Sequence, residues 1–176
     1  MQRISIWAGV ILFLLFLPLC ARADDKVNPA FDAWSNFGIG SNVTYEANTD
    51  SPQQGHSVMT MSMKLVEKTA DHVVVETAPM TVTLGGKSMT IPASQKTIPA
   101  AFDPVKDDLK ELGTEDVTAA GQTFSCKIYT PAHTTPGVAM DIKLWACKDV
   151  PGGAVKIEIK SASMNISQLL KSFEAK

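Results

Sequence analysis

The sequence predicts a mostly β protein: a single strongly curved antiparallel meander sheet, an incomplete barrel of about nine strands, with a short N-terminal helical cap and one short helical excursion. Three observations carry that prediction. Apolar and polar residues alternate with a period of two through most of residues 43–160. Short turns rich in Gly, Pro, Asn and Asp separate the alternating runs. The alternation leaves one face dry and one wet, the mark of a sheet that packs on one side.

The first residues, MQRISIWAGVILFLLFLPLCARADD, follow the plan of a secretory signal peptide. Arg3 supplies a basic start, Ile4 to Leu19 an apolar run, and Ala21-Arg22-Ala23 a small-x-small cleavage site. The run falls short of the roughly 20 apolar residues that span a bilayer. The expected division is therefore a leader over 1–23 and a single β domain over 24–176, placed in the periplasm or outside the cell, with no transmembrane segment in the mature chain. The leader carries Arg3 and Arg22 and no acid, so 16 Lys+Arg become 14 against 18 Asp+Glu, and the formal charge goes from -2 to -4. No basic stripe remains, which argues against nucleic acid as a partner.

The elements follow in order. Phe31, Trp34 and Phe37 recur at a spacing of three, near one face of a short helical turn that caps an open end of the sheet. Val43 to Asn48 alternates as a strand. His56–Thr69 is a long strand with Met59, Met61, Met63 and Leu65 on one face and Thr60, Ser62 and Lys64 on the other. HVVVETAPMTVTL, from His72, is a β-branched strand. Gly85-Gly86 is a hairpin signal, and Lys87–Ile98 returns as a strand weakened by Pro92.

Between Ile98 and Thr114 the period changes. Asp103-Pro104 resembles a helix start, Val105, Leu109 and Leu112 recur at helical spacing, and Gly113 stands where a C-cap would. The acids there, Asp103, Asp107, Asp108 and Glu111, interleave with Lys106 and Lys110 as on a solvated face. Ala120-Gly121 then turns the chain. Phe124, Cys126 and Ile128 alternate on one strand, Ile142 and Leu144 against Lys143 and Trp145 on the next. Pro151-Gly152 fits the centre of a type II turn, and Val155, Ile157 and Ile159 alternate with Lys156, Glu158 and Lys160. Ala162–Phe173 is a closing strand or a terminal helix, with alternation favouring a strand at least to Ser167.

Cys20 leaves with the leader, so Cys126 and Cys147 remain as an even pair in an oxidising compartment. In an antiparallel hairpin the numbers of paired residues have a constant sum. If the two cysteines face each other, the midpoint falls between Pro136 and Gly137, inside the turn-rich PAHTTPG. A Cys126–Cys147 disulfide is therefore expected, contributing roughly 3 kcal/mol on the chain-entropy model, with two separate buried thiols as the alternative.

Little points to catalysis. His56, His72 and His133 each stand beside a turn, and HExxH, GxSxG, CxxC and glycine-rich phosphate loops are missing from the sequence. No enzyme, no metal site and no cofactor are expected. Met59-x-Met61-x-Met63, with His56 upstream, is the most suggestive local run. Thioethers on one strand face suit Cu(I), but they equally suit a buried core or the lining of an adaptable apolar pocket.

The stretch GQTFSCKIY…IKLWACKDVPGGAVKIEIK resembles a group of exported bacterial proteins of unknown function, of planctomycete type. The matching residues are Trp34, Phe37, Gly40 and Ser41 before the first strand, then Gly121, Phe124 and Cys126. A Trp-x-x-x-x-Val-Pro-Gly-Gly-x-Val-Lys hairpin completes them, with Trp145, Val150 to Gly153, Val155 and Lys156. Cys147 departs from the polar residue expected there, so the disulfide is not implied by that resemblance. More distantly, the curved meander is similar to periplasmic lipoprotein carriers of the LolA/LolB type, which implies a concave face that holds acyl chains.

The leading functional reading is a non-enzymatic exported protein that binds or carries an apolar or lipid-like ligand. Trp34, Phe37, Met59, Met61, Met63, Leu65 and Trp145 are its candidate apolar face and cap. The alternative is an envelope interaction or structural module that binds a protein partner through a sheet edge or the 98–113 excursion. Cu(I) handling through Met59, Met61 and Met63 comes third.

Overall fold

The structure, a computed structural model, describes residues 27–52, 55–84, 87–101, 109–132 and 140–176. The leader, Gly85-Gly86, the Asp103-Pro104 start and the Pro136–Gly137 midpoint lie outside the described residues. Within them the chain forms one helix, α1 (Pro29–Ser35), followed by the strands β1 (Asn42–Ser51), β2 (Gly55–Lys68), β3 (His72–Thr77), β4 (Met80–Leu84), β5 (Lys87–Ile91) and β6 (Ser94–Pro99). Next come β7 (Leu109–Ala119), β8 (Gln122–Pro131), β9 (Met140–Ala146), β10 (Ala154–Ser161) and β11 (Asn165–Glu174). Alternation runs through the first part of β11, where Ile166, Gln168 and Leu170 are buried, and a register shift against Thr44 and Tyr45 interrupts it before Phe173; the closing segment is strand to Glu174.

Nine strands make one antiparallel sheet in the order β6-β3-β2-β1-β11-β10-β9-β8-β7, open between its edges β6 and β7. The predicted curved meander stands, with an added joint: β1 pairs β2 on one side and β11 on the other, Asn42 opposite Glu174 and Asp50 opposite Asn165. That joint places Val43, Tyr45 and Ala47 mid-sheet, where all three are buried.

Two strands read as continuous from sequence are each broken in two. β3 pairs β6 with Thr77 opposite Ser94, and β4 pairs β5 with Met80 opposite Ile91 and Leu84 opposite Lys87, all in one register. That register sets Pro79 against Pro92. Neither residue has an N–H to give, so the ladder cannot cross the pair. The alternation also slips by one residue there: Val73, Val75 and Thr77 are buried before it, Met80 and Val82 after it. The outer part of the hairpin, β4–β5, thus leaves the sheet as a separate two-stranded arm beside β2. At its root Ala78 N–H donates to Ser62 O at 2.9 Å.

The predicted helix over the 98–114 region is corrected where it can be seen. Leu109–Gly113 is the start of β7, paired with β8. The ladder skips Leu112, which is 47% exposed, and Gly113 takes φ +144°. A bulge shifts strand alternation by one residue, so Leu109 and Leu112 acquire a spacing of three that imitates a helical face. Gly113 serves that bulge and not a helix end.

The N-terminal cap forms as expected. Asn28 Oδ1 accepts from Ala30 N–H at 2.9 Å, and Pro29 occupies the first helical position. Asn28 N–H donates to Ala100 O, which ties the start of α1 next to β6, while Ala33 O accepts from Gly152 N–H at 2.9 Å at the other end. Gly153 N–H donates to Val150 O at 2.7 Å, and Gly152 has φ +73°, as the predicted type II turn requires. A Cβ on Gly152 would lie 2.8 Å from the Trp34 ring, so only glycine admits this docking.

Candidate binding face

Strand registers place the candidate residues on one face or the other. Met59 stands opposite Ala47, Met61 opposite Tyr45 and Met63 opposite Val43 on β1, and Leu65 opposite Val75 on β3. The row through Met59 continues across Ala47, Gln168, Ile157, Leu144 and Tyr129, six strands in succession. All of these side chains are buried. The four β2 residues therefore share one apolar face, as the alternation predicted. Trp34 is buried and Phe31 half-buried against the same core, with Phe37 half-buried beyond the helix. Met80 and Val82 of the arm complete the cover, at 5% and 7% exposure.

Trp145 does not join this face. It stands opposite Lys156 in register, one residue out of phase with Leu144, so it points to the other side of the sheet. There its indole Nε1 donates to Glu115 Oε2 at 2.8 Å, and Lys156 Nζ lies 4.3 Å from the ring centroid. Lys156 Nζ also contacts Glu158 at 2.7 Å. This bond is the main cause that holds the Glu158 carboxyl below its ordinary range, with Lys160 assisting. Trp145 is nonetheless buried, at 5% exposure, and shares its strand phase with Lys143, not with Leu144.

Polar groups on the apolar face are few. Tyr45 Oη donates to Ala154 O at 3.1 Å, and burial pushes its phenol pKa up. Gln168 is 3% exposed. Thr77, opposite Met63 and next to the facing prolines, is 2% exposed, and its Oγ1 is a buried side-chain polar atom with no hydrogen-bond partner. No charged residue is buried among the described residues, and none of their His, Cys, Asp and Glu side chains cluster as a metal site would require. Sequence reasoning overlooked Thr77 because a threonine on a strand is ordinary. The signal available was its place two residues before Pro79, where the ladder ends.

Cys126 and Cys147 are both buried and stand as free thiols. The ladder pairs Lys127 with Ala146, Ile128 with Trp145 and Tyr129 with Leu144, which is the register anticipated for a Cys126–Cys147 hairpin. Cys126 Sγ donates to Phe124 O at 3.6 Å and Cys147 Sγ to Asp149 Oδ2 at 3.7 Å. Burial first, then the neighbouring Cys147, Asp116 and Glu115, pushes the Cys126 thiol up to about 11. Burial likewise raises Cys147.

No helix among the described residues is long and apolar enough to cross a membrane. Neither a protein-family model nor a curated protein matches the chain. Solved structures do. A protein from Bacteroides fragilis NCTC 9343, inferred to be exported and carrying a YmcC-like fold, is 11% identical at a TM-score of 0.50, covering 78% of this chain and 97% of that one. An inferred lipoprotein from Parabacteroides distasonis ATCC 8503 is 11% identical at a TM-score of 0.47, over 86% of this chain and 100% of that one. A LolA superfamily protein from Nitrosomonas europaea is also among the matches, 8% identical at a TM-score of 0.31, over 84% and 92% of the two chains. The likeness to the Bacteroides protein is one of fold.

Proposed function

We propose that this is an exported, non-enzymatic protein that binds or carries a neutral apolar, lipid-like ligand on the methionine face, beneath the β4–β5 arm. The observation that carries the reading is the cover itself. An apolar face spanning six strands is closed in part by a two-stranded arm that no ladder joins to the sheet. Isolated hairpins are marginal in water, so packing of Met80 and Val82 is what holds the arm down. Exposing two such side chains costs about 3–6 kcal/mol, which leaves an open form populated below roughly one part in a hundred. An acyl chain laid along Met59, Met61 and Met63 would offset that cost, and methionine adapts to such a guest. Export is supported by the leader read from the sequence and by the inferred exported status of the Bacteroides fold neighbour.

The test is native mass spectrometry of the protein purified gently from its own envelope. The expected result is an added lipid mass that disappears on denaturation; a bare protein mass from a preparation whose envelope lipids are intact would sink the carrier reading. The same spectrum reads the cysteines. In an oxidising compartment the aligned Cys126 and Cys147 are proposed to form a disulfide, giving a mass lower by two hydrogen atoms than the reduced chain.

A further inference from the structure

The orphan hydroxyl of Thr77 lies where the arm hinges away from the sheet, and it is out of character with its surroundings. A buried hydroxyl without a partner costs stability, and valine would fill the same space with no such cost. β3 already uses valine at Val73 and Val75, the two preceding positions on this face. Thr77 sits in the row formed with Val43 and Met63 and is its last buried member, the exposed Ser94 of β6 standing opposite it, and the next buried side chain along the chain is Met80 of the arm. Lifting the arm would uncover this hydroxyl and the thioethers together.

We propose that Thr77 Oγ1 is the polar anchor of the binding face, donating a hydrogen bond to the carbonyl of an acyl ester or amide whose hydrocarbon chain lies along Met63, Met61 and Met59. This rests on the carrier reading and narrows it to a ligand class. One hydroxyl donor satisfies one carbonyl acceptor. A carboxylate or phosphate would bring an unpaired charge to a face where no charged described residue is buried. A pure hydrocarbon would leave the hydroxyl as unsatisfied as it is now. The chain-length direction follows from the register: carbonyl at the hinge, tail toward Met59 and the Ala47–Gln168 pair.

The test compares two probes, a pyrene-labelled fatty-acyl methyl ester and the pyrene-labelled alkane of equal length, titrated against wild type, Thr77→Val and Thr77→Ser. Wild type is expected to bind the ester more tightly than the alkane. Thr77→Val lowers ester affinity about tenfold, the size of one hydrogen bond, and leaves alkane affinity unchanged; Thr77→Ser restores the preference. Thermal unfolding of ligand-free Thr77→Val is expected at or above the wild-type midpoint, which separates a lost anchor from a damaged fold. An unchanged ester-to-alkane ratio in Thr77→Val overturns the anchor while the carrier reading stands. Wild type that binds neither probe overturns both.

Discussion

The β3–β6/β4–β5 hairpin and the β8–β9 hairpin are built on the same plan and end differently. Each keeps a single register over its described pairs, Val73 with Ile98 through Leu84 with Lys87 in the first, Lys127 with Ala146 through Tyr129 with Leu144 in the second. The first meets two facing prolines partway and gives up its outer half to an arm. The second meets two facing cysteines at the end of its ladder and can be stitched there. Register is thus a property of the whole hairpin, but its mechanical fate is decided by one residue pair. A missing N–H on both strands frees a segment, and a thiol on both strands can fix one.

The largest effect expected from this contrast separates sheet from arm. Leu65→Ala removes a fully buried sheet side chain and should lower the unfolding free energy by about 2–5 kcal/mol. Met80→Ala, on the arm, should accelerate hydrogen exchange of the β4 and β5 amides more than that of β2, because the arm opens as its own unit. Equal acceleration in β2 and β4 would mean that arm and sheet open together, and the contrast would collapse.

The cysteine pair comes next. Reducing a Cys126–Cys147 bond should cost roughly 3 kcal/mol in denaturant unfolding. The reduced protein also gains a pH dependence of known sign. Folding raises the Cys126 thiol from 9.0 to about 11, so the unfolded chain loses this proton first, and stability present below pH 9.0 declines as pH rises to about 11. The bonded protein lacks that decline and retains the one from Tyr45, whose buried phenol is also raised. Identical alkaline profiles with and without reductant would show that no bond had been present.

The smallest effect is expected at the prolines. Pro79→Val with Pro92→Val restores two donors and should change global stability by less than about 1 kcal/mol. The two new amides should nevertheless exchange slowly, as a ladder that now continues from β3 into β4. Free exchange at both positions would show that something other than the proline pair ends the ladder.

Much of this was legible from residue order, and the gaps have physical causes. The methionine face and the cysteine register followed from alternation and from one well-marked turn. Pro92 was read as a weakness in a single strand, whereas its force comes from Pro79 opposite, a fact that appears only when the strands are paired. Leu109 and Leu112 read as helix because a bulge and a helix can produce the same spacing. The alternation of Lys143 and Trp145 against Ile142 and Leu144 fixes the phase of Trp145, but its burial at 5% exposure depends on Glu115 and Lys156, which come from other strands. The orphan hydroxyl of Thr77 could not be seen at all, since a missing partner is a property of three-dimensional surroundings.

The joint between β1 and β11 carries a consequence for the order in which the molecule can assemble. Asn42 Nδ2 reaches Glu174 Oε2 across 132 residues of sequence, and the whole second edge of β1 waits for that partner. Until β11 leaves the ribosome, β1, β2 and β3 can form only a sheet with a raw central edge, and Tyr45 lacks Leu170 beside it. Contacts so distant in sequence make folding slow. A chain whose central strand pairs with its last strand cannot complete its sheet until that last strand has been made.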